Sequence, residues 1–328
     1  MWLRNLILLC TTAYQIWCCR QEDQTPPPGK IYDIGDCKLH LYRQGRPHPN
    51  QPTVVLDHSL GGVEGYLLID EIAELADVCI YDRAGYGWSS HSPNPRNSGE
   101  MMQEFEALMH QANVQPPYVL VGDSLGSYTM RLYAHTYPDK VAGLILTDGL
   151  HEDGMSRLPL SLQIMKTIFA AGFLMSVVGS ALGFIRIFQQ LGLFQVLSPK
   201  LRYYSQPQLA PVLRSFVRPK HWFTMAREIM SIHTSNDQLS KANNLGMLPI
   251  INIKASHFFT PSPALKPLPL ETADTLWTQM HHALMRLSTQ SLSLPAQKSS
   301  HFVWIDQPDT MLEAIDRMLL KLQRERQG

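Results

Sequence analysis

The sequence predicts an α/β fold: a mostly parallel central sheet with helices on both faces and a helical cap inserted after the sixth strand. Three observations carry that prediction. Short apolar runs alternate with longer stretches of helical spacing, the pattern of a sheet covered on both sides. One run, Tyr118-Val119-Leu120-Val121, passes directly into "GDSLGSY", where two glycines flank Ser124 at a tight strand-to-helix corner. Between residues 151 and 247 the alternation stops, the composition shifts to Phe, Leu, Ile, Met and small residues, and then the alternation resumes.

The elements follow in order. The first twenty residues, "MWLRNLILLCTTAYQIWCCR", put an apolar stretch between Arg4 and Arg20, the shape of a signal peptide or short membrane anchor. Residues 21–30, with "QTPPPG", read as a stiff linker. The first part of the core spans 31–150. "KIYDI" and "CKLHLYRQG" predict an antiparallel pair, and "PTVVLDH" a buried strand. "VEGYLLIDEIAELA" has helical spacing, and "DVCIYDRAGYG" is a strand running into a Gly-rich loop. "SGEMMQEFEALMHQANV" predicts an amphipathic helix capped by Ser98. "PPYVLVGDS" and "VAGLILTDG" are two further buried strands. After the insertion, 151–247, the core resumes over 248–328 with the strand "LPIINIKAS", the helix "ADTLWTQMHHALMRLS", a short strand at "QSLSLP" and the final helix "DTMLEAIDRMLLKLQRER".

The totals narrow the function classes. Twenty-eight basic and 28 acidic residues cancel, which argues against a nucleic-acid binder. Charged residues make up 17% of the chain, below the usual quarter, so apolar surface must go to a core, a substrate or lipid. The five cysteines, at 10, 18, 19, 37 and 79, form neither a CxxC pair nor a zinc spacing, and they give no disulfide framework. Cys79 falls in a strand and should pack as a small hydrophobe. No metal or organic cofactor is implied.

Gly122-Asp123-Ser124-Leu125-Gly126 fits G-x-S-x-G with a strand before it and a helix after it. The corner pushes the serine into a strained backbone conformation, and the glycines keep side chains off the neighbouring strand and helix. A serine hydroxyl needs a base to take its proton. Of 13 histidines, His301 is favoured, because it lies in "SSHFVWIDQPDTMLEAI" between the last strand and the last helix, where a loop can reach over the serine. His58, in "DHSLGG", lies at the end of the third strand and near the site. His110, His135, His281 and His282 sit on helices, where solvated or core-edge roles suit them. Asp82 and Arg83 read as a buried pair that fixes a loop, and Asp306 as a cap on the last helix.

Together the elbow, "DHSLGG", "YDRAGYGWS" and "SSHFVWIDQPDTMLEAI" resemble the α/β-hydrolase fold superfamily, over about residues 31–322. The resemblance implies Ser124 as nucleophile and His301 as base, with Leu60 and Leu125 as backbone N–H donors to an oxyanion. The acid departs from the family pattern, because "INIKASHFFTPSPAL" after the seventh strand has no carboxylate. Some branches of the family take the acid from the end of the sixth strand. That implies Asp148, in "GLILTD", with Asp153 as the fallback.

Within the insertion, residues 167–185, "TIFAAGFLMSVVGSALGFI", carry no charge. They are long enough to cross a bilayer, but a single span would separate strands of one sheet. Two readings stay open: a cap helix packed on the core, or a helix lying in a lipid interface. Either sets apolar groups over the serine. The resulting expectation is a serine hydrolase cleaving small-molecule lipophilic carboxylic esters through an acyl-enzyme. It would sit in the secretory pathway or at a membrane, held by the N-terminus or the cap. The rivals are C–C or amide hydrolysis or acyl transfer by the same triad, a non-catalytic binding member of the fold, and a bilayer-associated receptor.

Overall fold

A computed structural model describes residues 2–48, 51–258 and 269–327. Eight strands form one sheet: β1 (Lys30–Asp33), β2 (Lys38–Gln44), β3 (Thr53–Asp57), β4 (Val78–Asp82), β5 (Tyr118–Asp123), β6 (Val141–Thr147), β7 (Ile250–Ala255) and β8 (Ser291–Ala296). Their spatial order is β1-β2-β4-β3-β5-β6-β7-β8. β2 pairs antiparallel with β1 and β4, and every later pairing is parallel.

The period of two along each strand feeds two cores. Val54, Leu56, Val78, Ile80, Val119, Val121 and Ile145 face one side of the sheet. There they meet α2 (Ile69–Leu75) and the long C-terminal helix (Pro308–Gln327), through residues such as Ile72, Met311, Ile315 and Met318. Val55, Cys79, Tyr81, Leu120, Leu144 and Leu146 face the other side, against α3 (Ser98–Gln111) and α4 (Gly126–Thr136). Each fully buried aliphatic side chain contributes about 1.5–3 kcal/mol. With both faces covered, the central strands must be continuous apolar runs, as their sequences are. Two local expectations shift. The α3 cap is Asn97, whose side chain accepts from the Glu100 N–H, and Ser98 is the first helical residue. "VEGYLLIDEIAELA" is split into a 3₁₀ turn, Glu64–Leu67, and α2.

Seven helices separate β6 from β7: α5 (Glu152–Ser156), α6 (Leu160–Ala181), α7 (Phe184–Gln190), α8 (Leu193–Leu197), α9 (Gln206–Phe216), α10 (Pro219–Met230) and α11 (Ile232–Leu239). α12 (Leu270–Leu284) follows β7, and α13 (Val303–Asp306) and α14 (Pro308–Gln327) follow β8. Between Asp153 and Glu228 this segment carries nine basic residues and no acidic one. The uncharged stretch is not one helix. α6 ends at Ala181, and Gly183 (φ +84°) turns the chain into α7. Nor is α6 packed away as a core helix, since only Leu162 and Ser180 along it are buried. By length and composition it is long and apolar enough to cross a membrane.

The N-terminal residues form a helix, α1 (Trp2–Gln24), which runs four residues into the expected 21–30 linker. Its C-terminal half is bound to the insertion. Glu22 pairs with Arg186 and, at 2.7 Å, with Arg218, while Asp23 pairs with Arg214 at 2.8 Å. The buried Gln15 amide donates to the Val217 carbonyl and accepts from Arg186. At the crossing, a Cβ on Gly183 would come within 2.5 Å of the Thr11 carbonyl, so glycine there lets the two backbones meet.

Candidate active site

The corner at Ser124 is as sharp as its sequence implies. Ser124 sits at φ +47°, in the left-handed region where a β-carbon is strained. Its N–H donates to the Thr147 carbonyl at 2.9 Å, which locks it to the end of β6. A Cβ on Gly126 would lie 2.6 Å from the His58 carbonyl oxygen, and one on Gly122 would lie 2.7 Å from Ser127 Cα. No larger residue fits either position without moving backbone. Beside the serine, Asp123 is buried with one oxygen unpaired, and burial raises its carboxyl well above the usual range.

His301 is delivered by the loop after β8. Its Nε2 lies 2.9 Å from Ser124 Oγ, and its Nδ1 lies 2.5 Å from Asp148 Oδ2. Trp277 meets the imidazole edge-on at 5.2 Å between ring centroids, and Phe258 lies against it at 4.7 Å. Asp306 accepts from both the N–H and the hydroxyl of Ser300, the residue before His301. It therefore holds this loop rather than capping α14.

Asp148, at the end of β6, is wholly buried and also sits at positive φ, +42°. Four donors converge on its carboxylate. Oδ1 accepts from the Ala255 N–H and from His281 Nε2, both at 3.0 Å, while Oδ2 accepts from Trp277 Nε1 at 2.8 Å as well as from His301. Burial pushes the carboxyl upward, but the hydrogen bonds and charge of His281 and His301 outweigh it and hold Asp148 well below the usual carboxylate range. The fallback acid lies elsewhere. The Asp153 side chain is 68% exposed and borders a separate depression with α12.

His281 is the residue that sequence reasoning misassigned. Far from solvated, it is buried between Asp148 and Asn252, with Nδ1 3.0 Å from Asn252 Oδ1. Trp277 and His281 stand four residues apart on α12, so one helix face presents both to the same carboxylate. That spacing was the available signal. His110, His135 and His282 are exposed, as expected of them.

The loop after β3 carries the second set of groups. Neither the Leu60 nor the Leu125 N–H donates to a backbone or side-chain acceptor among the described residues, and both residues line the cavity that Ser124 lines. His58 itself is buried, and burial and then Arg83 depress its imidazole to about 3, so it stays neutral. Asp82 and Arg83 are each buried but not paired with one another. Asp82 bonds His40 and Tyr66. Arg83 donates to the His58 and Ser59 carbonyls at 2.6 and 2.7 Å, to Asp57 at 2.7 Å, and to Glu228 of α10 at 3.0 and 3.1 Å. One guanidinium thus ties this loop to the insertion.

A cavity of about 440 Å³ opens onto Ser124 and His301. α6 supplies Leu162, Met165, Phe169 and Phe173 to its wall, with Phe216, Ile229 and Trp277 from other helices. Lys166 and Glu64 are the charged residues among its lining. The geometry as a whole is a hydroxyl, an imidazole and a carboxylate in hydrogen-bonded series, with two uncommitted N–H groups beside them and an apolar chamber above.

A family model described as alpha/beta hydrolase fold matches residues 52–183. The chain is 31% identical over 121 residues to the protein YqjL of Bacillus subtilis, covering 36% of this chain and 47% of that one. It is 32% identical over 111 residues to a vacuolar membrane protein of Saccharomyces cerevisiae, covering 31% of this chain and 17% of that one. In both cases it spans less than half of the relative's length. Among solved structures, the enol-lactonase of Burkholderia xenovorans superposes with a TM-score of 0.62 at 16% identity, over 89% of this chain and all of the other.

Proposed function

We propose that this chain, which has the α/β-hydrolase fold, is a serine hydrolase cleaving carboxylic esters of lipophilic substrates. The observation that carries this reading is the continuous series Ser124 Oγ, His301 and Asp148, with separations of 2.9 and 2.5 Å. Ser124 Oγ attacks the ester carbonyl carbon while its proton passes to His301 Nε2. The carbonyl π pair moves onto oxygen, which faces the N–H groups of Leu60 and Leu125. Each such donor is worth about 10²–10³ in rate. Asp148 keeps the His301 tautomer with its proton on Nδ1 and stabilises the imidazolium. Collapse breaks the bond to the alcohol, which leaves with the proton from His301. Water, deprotonated by the same imidazole, then releases the acid and frees Ser124.

The apolar chamber favours a lipophilic acyl or alcohol group, because Phe169, Phe173 and Leu162 offer area without hydrogen bonds. The apolar N-terminal helix, the exposed α6 and the likeness to a vacuolar membrane protein support a membrane-associated protein, within the secretory pathway or outside the cytoplasm. Labelling with a fluorophosphonate probe tests the chemistry. Wild type should be labelled and Ser124→Ala should not, with kcat/KM on p-nitrophenyl esters falling by about 10⁴–10⁶. Rates should rise with acyl length beyond acetate. Folded wild-type protein that takes no label would point to a binding member of the fold, and label without ester turnover would point to amide, C–C or acyl-transfer chemistry.

A further inference from the structure

On α6 most of the side chains that face water are apolar, with Ser161, Gln163 and Thr167 the polar exceptions. Leu160, Ile164, Ile168, Met175 and Val178 are all exposed, at 72, 52, 62, 74 and 58%. Their spacings, 4, 4, 7 and 3, place them along one side of the helix. A helix that packs on a soluble core shows the opposite arrangement. The N-terminal half of α1 adds Trp2, Leu6 and Leu9, exposed as well. α1 is no loose tail, since Glu22 and Asp23 pair with Arg186, Arg214 and Arg218, and Gly183 lets it cross the end of α6. The two apolar surfaces therefore belong to one body.

We propose that this face docks in the plane of an anionic lipid leaflet and that the cavity over Ser124 takes its substrate from that leaflet. Charge chooses lipid over the alternatives. Residues 154–227 carry nine basic and no acidic residue; α1 neutralises three of the nine and Asp306 neutralises Lys200. Arg157 and Arg202 remain exposed on the insertion, and Arg4 on α1. An anionic headgroup layer attracts such a surface. A second copy meeting this one through the same insertion would bring two basic segments together, which like charge disfavours. A protein spanning the bilayer on α6 is excluded by the sheet, since both ends of the insertion return to it, at β6 and β7. Leu162, Met165, Phe169 and Phe173 of the same helix turn into the cavity, so α6 is both lipid face and chamber wall. Delivery of substrate rests on the ester-hydrolase reading, whereas docking does not.

Flotation of the full chain with vesicles tests docking by itself, using Ser124→Ala so that no turnover is needed. Vesicles of phosphatidylcholine with phosphatidylserine should carry the protein upward, more weakly at high salt and with phosphatidylcholine alone. The double variant Ile168→Asp/Met175→Asp, and separately Leu6→Asp, should each reduce partitioning about tenfold or more. These positions are exposed, so an unchanged melting temperature confirms the fold. With Ser124 restored, the double variant should hydrolyse p-nitrophenyl acetate like wild type and lose rate only on esters presented in vesicles. Partitioning unchanged in the variants would overturn the proposal. So would a dimer in light scattering that the double variant dissolves, because a second copy would then be the occupant.

Discussion

The sheet and the outer helix of the insertion treat apolar side chains in opposite ways. In β3 to β6 every residue but the half-buried Ala142 is covered, and the strand ends deliver Ser124 and Asp148 into hydrogen bonds 2.5 to 3.0 Å long. On α6 the apolar residues look outward as well as inward, and few are covered. On the proposed function, the difference follows what each region would do. Proton transfer needs atoms at fixed separations, so it is built on elements over-determined by packing. Holding an apolar group needs area and little direction, since hydrophobic attraction is non-directional. A helix packed on α10 along one side and uncovered along the other serves that purpose.

Substitutions can break the rigid region at graded cost. The largest effect is expected from Gly126→Ala. Its Cβ meets two backbone oxygens, of Asp57 and His58, neither of which can yield, and the loss should exceed about 3 kcal/mol in urea unfolding, with no residual hydrolysis. Arg83→Met follows. It strands Asp57 and Glu228 as buried charges, a loss of about 3–5 kcal/mol by the same measurement. The companion Arg83→Met/Glu228→Leu should recover part of it, because the worst of the cost is the unpaired carboxylate. His281→Ala comes third. It removes one donor of four from Asp148, so kcat should fall about 10- to 100-fold with KM nearly constant, and His281→Asn should restore part of the rate if the hydrogen bond is what counts. A purely structural histidine would lower the melting temperature without moving kcat. Smallest is Arg317→Ala, which severs an exposed pair with Glu313 on α14 and should stay within about 0.5 kcal/mol of wild type. A large effect there would mean that the exposed side of the core fold is less tolerant than its counterpart on α6.

What could be read in advance divides along the same boundary. The strands, the elbow and the loop carrying His301 were legible because each leaves a local trace: an apolar run, paired glycines, a histidine between strand and helix. Asp148 came only through the family resemblance, as a carboxylate at the end of the sixth strand, with Asp153 beside it as an alternative. Glu228 was not, because its partner Arg83 lies 145 residues away and nothing in either neighbourhood announces the other. His281 left one trace, its spacing of four from Trp277, and an ordinary amphipathic face shares that spacing. The outward turn of α6 was hidden too. An apolar helix has the same composition whether protein or lipid surrounds it, and only tertiary contacts distinguish the two. The role of residues 1–20 depended in the same way on partners in the insertion, reached through Gln15 and, just beyond, Glu22 and Asp23.

Arg83 has one more consequence. Burial works against its charge, yet Glu228 and Asp57 hold it ionised, and its remaining donors grip the two carbonyls that precede Leu60. Helix α10 and the loop proposed to hold the oxyanion are therefore yoked through a single side chain. On the proposed function, lifting α10 would pull on that loop as well and move the Leu60 N–H away from the oxyanion.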